Sequence, residues 1–347
     1  MSGLAKYLIE DGHEVSGSDI EDSKYVDALR KLGAKIYIGH DENNLPHDAK
    51  VIVSTAIRET NPELQKAKKL GLQIYHRSDL LKEIAETAQE QEKIFIGYSG
   101  THGKTTTSGL SSYVLEKARV NPSFVVGGIL PDVHTNAQHK NGNYFTAELD
   151  ESDGTIVKYS PDILVINNLE EDHVDYYKNG LSDLVKTFEQ AISKSKKVIL
   201  NNDNEGCQLL KGNFITFGLN NADYIAKNIN ISKEGMSFSI YHNTELLSDI
   251  EVQLTGRHNI YNVLSVVASL NEAGVNISDI KPYFKDFTGM GRRFQKVCSI
   301  NGIEVFDDYA HHPTEIKATL DSASVKYGKE NIVAVFQPHR YTRLKGL

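Results

Sequence analysis

A short apolar strand that runs directly into a glycine-rich loop constrains the fold of this chain more than any other feature. Residues 93–106 read Lys-Ile-Phe-Ile-Gly-Tyr-Ser-Gly-Thr-His-Gly-Lys-Thr-Thr. A loop of small residues lets backbone N–H groups converge on phosphate oxygens, and the following lysine and threonine supply a positive charge and a Mg²⁺ ligand. The segment therefore predicts a nucleoside triphosphate at the start of a helix over 104–118, whose N-terminus faces the same anion.

The loop departs from the usual phosphate-binding pattern at one position. The pattern opens with a glycine five residues before the Gly-Lys pair, where this chain has Tyr98, although Gly97 and Gly100 stand on either side. A glycine-rich turn without a ligand is therefore an alternative interpretation. The strand–loop–helix context favours the phosphate site.

Length and composition indicate a multidomain enzyme that acts on small molecules. A chain of 347 residues exceeds one ordinary core, so two or three domains are expected. The formal net charge of −8 argues against nucleic acid as a partner. The sequence has no apolar run of membrane-spanning length and no signal-peptide pattern, which argues against a membrane partner. Cys207 and Cys298 match no metal or redox spacing, so free thiols and a cytoplasmic location are predicted.

Alternating helix and strand patterns divide the chain into three α/β blocks. Over 1–92 the alternation predicts a parallel sheet with helices on its faces. Over 93–293 a second α/β block carries additional antiparallel strands between 213 and 254. The third block covers 294–347. We therefore expect an α/β protein of three domains.

The third block and the start of the chain are interpreted as incomplete. After 294, strands predicted at 303–307 and 332–336 flank a helix over 315–327, and three strands are about the minimum for a stable sheet. Residues 1–5 read as part of a helix with no strand before it. The sequence is therefore expected to be a piece of a longer protein.

Acidic and hydroxyl side chains gather at the end of a strand predicted over 144–149. Carboxylates at the carboxyl end of a buried strand face the crevice in which α/β sheets bind ligands. Mg²⁺ prefers hard oxygen ligands and keeps several waters, so one carboxylate with Thr105 and phosphate oxygens would suffice. A solvated acidic turn is the alternative. The side chains concerned are Thr146, Glu148, Asp150, Glu151 and Asp153.

Further polar side chains follow later elements. His173, after the next strand, offers a nitrogen ligand or an acid–base group, or else a surface or capping residue. Asn259 and Asn262 lie three apart at a helix start, hence on one face, and could contact a base or ribose. Asn259 could equally serve as an N-cap alone. Arg293 and the arginine before it suit phosphate, or form a solvated hinge.

Together these segments resemble the Mur ligase family. The matching pieces occur in the family's order along the whole chain, and the loop with His102 and the Asp-Asp-Tyr-Ala-His-His-Pro segment are the most specific of them. The family tolerates a residue other than glycine where Tyr98 stands. The pieces are Gly100–Thr106, Ala147–Asp153, Glu171–His173, His258–Asn262, Arg292–Phe294, Asp307–Glu315 and Gln337–Arg343.

The resemblance implies a three-domain architecture. An N-terminal, Rossmann-like, UDP-sugar-binding domain would cover 1–92, with its start missing. A central P-loop ATPase domain would cover 93–293, with the added antiparallel strands. A Rossmann-like C-terminal domain would begin at 294 and remain incomplete at 347.

The resemblance also implies which residues bind ATP and metal. Lys104 would hold the γ-phosphate, Thr105 and Glu148 one Mg²⁺, and His173 a second, so that Lys104, Glu148 and His173 form the catalytic set. The implied ATP contacts are Gly100, Thr101, His102, Gly103, Lys104, Thr105, Thr106, Asn259, Asn262, Arg293 and Asp308.

The implied substrate contacts come from all three domains. Those at the N-terminus and after early strands would line the UDP end, and Asn136 would lie near the γ-phosphate. They are Ser2, Gly3, Asp19, Ser54, Thr55, Asn136, Ala137, His173, His339 and Arg340.

The activity implied is ATP-dependent amide ligation in peptidoglycan synthesis. The resemblance is strongest to members that join L-alanine to UDP-N-acetylmuramate through an acyl phosphate, forming ADP and phosphate. Members that recycle a murein tripeptide onto the same nucleotide sugar share the Asp-Asp-Tyr-Ala-His-His-Pro type of segment and are an alternative. A nucleotide-binding fragment without ligase activity is a third.

Overall fold

The computed structural model describes residues 1–173 and 175–338. In this part of the chain a ten-stranded sheet forms the centre, and three two-stranded sheets lie outside it. The predicted α/β class is confirmed by this arrangement.

The N-terminal block alternates helix and strand as predicted, but its strands form two separate parallel pairs. β1 pairs with β2, and β3 pairs with β4. The elements are α1 (Ser2–Glu10), β1 (Ser16–Asp19), α2 (Lys24–Lys31), β2 (Lys35–Ile38), β3 (Val51–Val53), α3 (Pro62–Lys69), β4 (Ile74–His76) and α4 (Arg77–Glu90).

Capping residues explain where two of these helices begin. Asn61, which precedes Pro62 and is therefore the expected N-cap, does cap α3, because its side chain accepts hydrogen bonds from the amides of Glu63 and Leu64. From the sequence, Ser78 is the expected cap of a helix over 79–88, and this prediction is wrong. His76 is the cap, and Asp79 accepts the N–H of His76 in return at 2.9 Å, which completes a capping box.

The central block supplies the large sheet, in the order β14-β13-β12-β11-β10-β9-β5-β8-β6-β7. Strands β6, β8, β5, β9, β10, β11 and β12 run parallel, and the predicted antiparallel addition is confirmed in β12, β13 and β14. The strands are β5 (Ile94–Ser99), β6 (Ser123–Val125), β7 (Ala137–Gln138), β8 (Tyr144–Glu148), β9 (Ile163–Ile166), β10 (Lys197–Asn201), β11 (Ile215–Gly218), β12 (Tyr224–Ile231), β13 (Met236–His242) and β14 (Glu245–Val252).

Helices cover both faces of this sheet. One face packs against α5 (Lys104–Lys117), α7 (His258–Glu272) and α8 (Ile277–Phe284). The other face packs against α6 (Leu181–Ile192) and also against α1 and α4, so that Tyr7 and Ile84 share a cluster with Phe95 and Phe145. Two N-terminal helices therefore belong to the core of the central sheet.

The last described block is a hairpin followed by a helix. β15 (Gln295–Ile300) and β16 (Ile303–Asp307) pair antiparallel, and α9 spans Pro313–Tyr327. The strand predicted at 332–336 is wrong, because residues 332–338 have no strand conformation and Val333 and Val335 are 90% and 94% exposed. Extended, β-branched residues form a strand only where a neighbouring strand pairs with them.

Within the described residues, no helix is long and apolar enough to cross a membrane.

Asp162 joins the start of β9 to β5. Its carboxylate accepts the N–H of Phe95 at 2.8 Å and lies 2.6 Å from the ammonium of Lys196. Burial alone would raise the pKa of Asp162, but Lys196 and the Phe95 amide outweigh that effect and lower it below 3.8. Since the folded-state pKa lies below the unfolded value, the charge stabilises the fold above pH 3.8, and this contribution is lost as the pH falls through the folded pKa.

We therefore expect Asp162→Asn to lower the free energy of unfolding by about 1–2 kcal/mol at pH 7, and by less at about pH 3. Urea denaturation at both pH values measures the difference. Asp48→Asn, at an exposed turn, is the matched control and should leave stability unchanged. An equal loss at both pH values would contradict the role of the charge.

Candidate active site

The loop between β5 and α5 is anchored on the chain that follows β9. Asn168 accepts the N–H of Thr101 on its carbonyl at 3.0 Å and the N–H of His102 on its side chain at 2.7 Å. Gly100 has φ +125° and Gly103 has φ +83°, and a Cβ on either residue would lie within 2.8 Å of a neighbouring oxygen. Glycine is therefore required at both positions by conformation and by space.

Tyr98 stands outside this loop, which explains the departure from the usual pattern. β5 continues through Ser99, so the loop begins only at Gly100. The Tyr98 side chain is fully buried, and its hydroxyl lies 2.7 Å from Ser269 Oγ in α7. The tyrosine thus belongs to the core beneath the loop.

Lys104 occupies the first position of α5, at the mouth of the loop. Its ammonium donates to the carbonyls of Gly100 and Thr101 at 2.6 and 3.0 Å and lies 3.0 and 2.9 Å from the two carboxylate oxygens of Glu151. Burial alone would lower the pKa of Lys104, but Glu151 and the neighbouring carboxylates outweigh it and raise the pKa. The lysine is therefore a fixed cation.

Glu151 is a site residue that sequence reasoning named only as one acid in a group. Its side chain is fully buried, and its Oε1 also lies 3.4 Å from His173 Nε2. Glu151 thus joins Lys104 to His173. Its position could have singled it out, because it lies two residues after Leu149, where the chain continues from a buried strand.

The two residues of the metal prediction lie at the end of β8, in the case of Glu148, and in the first turn of α5, in the case of Thr105. Glu148 Oε2 accepts the N–H of Gly127 at 3.0 Å, and the nearby Thr105 side chain lowers the pKa of the same carboxyl group. Burial raises the pKa of Glu148, against the opposite effects of Lys104 and Thr105. A Cβ at Gly127 would lie 2.3 Å from Glu148 Oε2. A residue without a side chain is therefore needed here to make room for the carboxylate.

His173 lies beside Glu151, with its Nε2 3.4 Å from the carboxylate oxygen Oε1. It has φ +54°, a backbone conformation that is unusual for a side chain of this size. The oxygen set of Thr105 and Glu148 suits Mg²⁺. The assignment of His173 to a second ion stays a prediction.

A cavity of about 220 Å³ opens beside Glu148, between the N-terminal helices and the central sheet. Gly3 and Asn136 line it together, and a Cβ at Gly3 would touch the Asn136 amide at 3.0 Å. The structure therefore brings these two predicted substrate contacts close to Glu148, the predicted metal ligand.

Arg77 is a lining residue of this cavity that sequence reasoning missed. It is the first residue of α4, and its guanidinium donates to Asp150 at 2.7 Å. A cation at a helix N-terminus is unfavourable by itself. The position of Arg77 therefore indicates that a carboxylate partner lies nearby.

Four of the other predicted substrate contacts do not line this cavity. Asp19 is exposed at the end of β1, Thr55 lies 3.0 Å from His76 Nε2, and Ala137 is buried with its carbonyl bound to Lys6. Ser54 directly follows β3. Their roles, with that of Ser2 at the start of α1, stay predictions, and His339 and Arg340 lie outside the described residues.

The predicted ATP contacts of the third block approach the loop through Glu315. Glu315 Oε1 lies 3.2 Å from His102 Nδ1 and 3.8 Å from Arg293 Nη1. Although burial opposes the charged form, Glu170 and Glu315 raise the pKa of His102 to about 9. Asp308 instead accepts backbone N–H groups at 2.6 and 2.7 Å, and burial raises its pKa.

Asn259 and Asn262 share a face of α7, as predicted. Asn262 Nδ2 donates to Asn259 Oδ1 at 2.8 Å, and Asn262 Oδ1 lies against Gly103. The alternative in which Asn259 is the N-cap is wrong, since α7 begins one residue earlier, with Arg257 as its cap residue.

Comparison with known proteins gives the family of this arrangement. The model of the Mur ligase family, catalytic domain, matches residues 1–89; that of the Mur ligase middle domain matches 99–270; and that of the Mur ligase, glutamate ligase domain, matches 292–346. A UDP-N-acetylmuramate–L-alanine ligase from Dictyoglomus turgidum is 42% identical, over 99% of this chain and 74% of that protein. The chain belongs to the Mur ligase family. A ligase of the same name from Carboxydothermus hydrogenoformans is 40% identical over 99% and 74% of the two chains.

Solved Mur ligases share the fold. The crystal structure of the UDP-N-acetylmuramate-alanine ligase MurC from Thermotoga maritima superposes with a TM-score of 0.86 at 31% identity, covering 99% of this chain and 80% of that one. The UDP-N-acetylmuramate:L-alanyl-gamma-D-glutamyl-meso-diaminopimelate ligase of Neisseria meningitides gives 0.73 at 26% identity, covering 84% and 96%. The predicted three-domain Mur ligase fold is confirmed.

The pair of Lys104 and Glu151 gives a test of the buried charges in this site. Removing one partner of a buried ion pair leaves the other without a counter-charge, so Lys104→Met and Glu151→Gln should each cost about 3 kcal/mol of unfolding free energy. The double variant should cost less than the sum, with a coupling of about 1–3 kcal/mol.

Chemical denaturation of the four proteins measures this coupling. The control cycle is Lys285→Met with Glu251→Gln, because both side chains are more than 60% exposed and 2.8 Å apart; its coupling should stay below about 1 kcal/mol. Equal coupling in the two cycles would show that burial does not strengthen the Lys104 pair.

Proposed function

We propose that this Mur ligase joins L-alanine to UDP-N-acetylmuramate at the expense of ATP, in peptidoglycan precursor synthesis. The observation that carries the proposal is the position of Glu148. Its carboxyl group is near enough to Lys104 and Thr105 for both to lower its pKa, and it also lines the cavity that holds Gly3 and Asn136. A triphosphate on the loop and an acid in the cavity would then meet at one carboxylate.

In the proposed reaction, the lactyl carboxylate of the sugar nucleotide attacks the γ-phosphate, which gives an acyl phosphate and ADP. Two anions must approach each other, so the site has to offset their repulsion, and electrostatic positioning is most of what phosphoryl transfer requires. Lys104 supplies one fixed cation. Arg77 brings a second cation to the cavity, which it lines together with its partner Asp150, 2.7 Å away.

Mg²⁺ fits the donor set of Thr105 and Glu148, where it would neutralise phosphate charge. Gly127 holds one oxygen of Glu148 by its N–H, which orients the carboxylate. On nucleotide binding, Lys104 would exchange the carbonyls of Gly100 and Thr101 for phosphate oxygens and retain Glu151.

The amine of L-alanine then displaces phosphate and must arrive deprotonated. We propose His173 as the group that takes the proton, since its imidazole lies against the buried carboxylate of Glu151, which would stabilise the imidazolium. The use of ATP and a UDP-sugar places the proposed reaction in the cytoplasm.

Phosphate release tests the ligase proposal. Release should require both UDP-N-acetylmuramate and L-alanine, and Lys104→Met should lower kcat about 10²- to 10³-fold, because it removes the cation at the transferred group. Lys117→Met changes a lysine at the far end of the same helix, paired with Asp132, and should keep the parent rate. ATP turnover without the sugar nucleotide would point to a nucleotidase instead.

The acceptor identifies the branch of the family. With ATP and UDP-N-acetylmuramate held constant, free L-alanine should support product formation at a higher kcat/KM than the murein tripeptide, as measured by chromatography of the two products. Preference for the tripeptide would overturn the alanine assignment and leave the ligase chemistry intact.

A further inference from the structure

A cluster of two imidazoles and a carboxylate lies between the β5–α5 loop and the start of α9. His102 comes from the loop, Glu170 from the chain after β9, and His312 from the N-cap of α9. One ligand atom from each lies within 4.8 Å of the others, and the two imidazole rings are 4.7 Å apart. We propose that these residues bind a divalent transition-metal ion of the Zn²⁺ type, which joins the loop to α9.

The imidazole nitrogens give the first reason. Among the described residues, His312 Nε2 and His102 Nε2 are buried and have no hydrogen-bond partner, and Glu170 Oε2 lies 3.5 Å from the latter. The whole of His312 is only 6% exposed. A buried polar atom without a partner is costly, whereas a metal ion would use both nitrogens at once.

The surrounding hydrogen bonds give the second reason. His102 Nδ1 faces Glu315 at 3.2 Å, so its other nitrogen, Nε2, is directed to the cluster. Glu170 accepts the hydroxyl of Thr314 at 2.8 Å, which fixes its carboxylate. Metal-binding histidines and carboxylates are commonly oriented by such outer partners.

Metal binding has two costs. The first is that His102, whose pKa is raised, despite burial, to about 9 by Glu170 and Glu315, must lose the proton on Nε2. The second falls on His312. Its Nδ1 accepts the N–H of Thr314 at 3.3 Å, so the neutral ring holds its proton on Nε2. Coordination through Nε2 would move that proton to Nδ1 and end this bond. The lost bond is long. The other half of the capping box remains, since the carboxylate of Glu315 still accepts the His312 N–H.

Donor chemistry selects the metal. Imidazole nitrogen suits Zn²⁺, Co²⁺ and Ni²⁺, whereas Mg²⁺ prefers oxygen ligands such as Thr105 and Glu148. In a tetrahedral Zn²⁺ site, ligand atoms about 2.0–2.1 Å from the metal lie about 3.4 Å apart, so side-chain shifts of about 1 Å would close the cluster. Three protein ligands leave the fourth position to water. The two kinds of metal would therefore occupy different sites.

Co²⁺ binding tests the proposal, because tetrahedral Co²⁺ absorbs visible light. The experiment uses the Cys298→Ser chain, since Cys298 is the more accessible of the two free thiols. In excess Mg²⁺, one Co²⁺ per chain should bind with tetrahedral absorption, and Zn²⁺ should displace it. Glu170→Gln and His312→Gln should each weaken binding more than 100-fold, and Glu315→Gln about tenfold through the orientation of His102.

His47→Gln, at an exposed turn, is the matched control and should keep the parent affinity. Circular dichroism verifies the fold of each variant, and Glu170→Gln keeps the test decisive if His312→Gln fails to fold. Equal Co²⁺ affinity in the parent and in Glu170→Gln would overturn the site. So would Co²⁺ release by Mg²⁺, which would place the ion at the oxygen ligands. Neither result depends on ligase activity.

Discussion

The candidate site depends on one buried ion pair, that of Lys104 with Glu151. The lysine begins α5, and the glutamate follows β8, so their contact fixes the helix that bears the phosphate-binding end against the neighbouring strand. Parallel pairing of β5 with β8 and β9 brings the ends of three strands to one edge. Because the cation is buried among carboxylates, it stays charged at every physiological pH. Lys104 also bridges the carbonyls of Gly100 and Thr101, which holds the loop in one conformation.

Local patterns in the sequence were sufficient for the parts of the fold that depend on neighbouring residues. The β5–α5 loop is recognisable because glycine positions, lysine and threonine act within a few residues of each other. The Asn61 cap and the antiparallel strands after 213 are of the same kind. The site carboxylate Glu148 followed from a general rule about strand ends in α/β sheets.

Contacts between distant residues could not be predicted in this way. Arg77 and Asp150 are 73 residues apart, and His102 and Glu315 are 213 apart. The strand expected at 332–336 failed because β-branched composition gives strand propensity but supplies no partner. β15 is a strand that the sequence pattern did not indicate, because apolar and polar residues alternate only weakly along it. Its turn, Asn301-Gly302, with φ of +50° and +83°, is the local hairpin signal in this segment.

The packing of α1 and α4 has a practical consequence for dividing this protein. Sequence boundaries invite an expression fragment that starts at residue 93, immediately before β5. Such a fragment would uncover the flank formed by Phe95, Phe145 and their neighbours, which Tyr7 and Ile84 shield in the intact chain. An exposed hydrophobic surface of that kind promotes aggregation. The ATPase portion is thus better excised together with those two helices, or with polar replacements on the flank they leave.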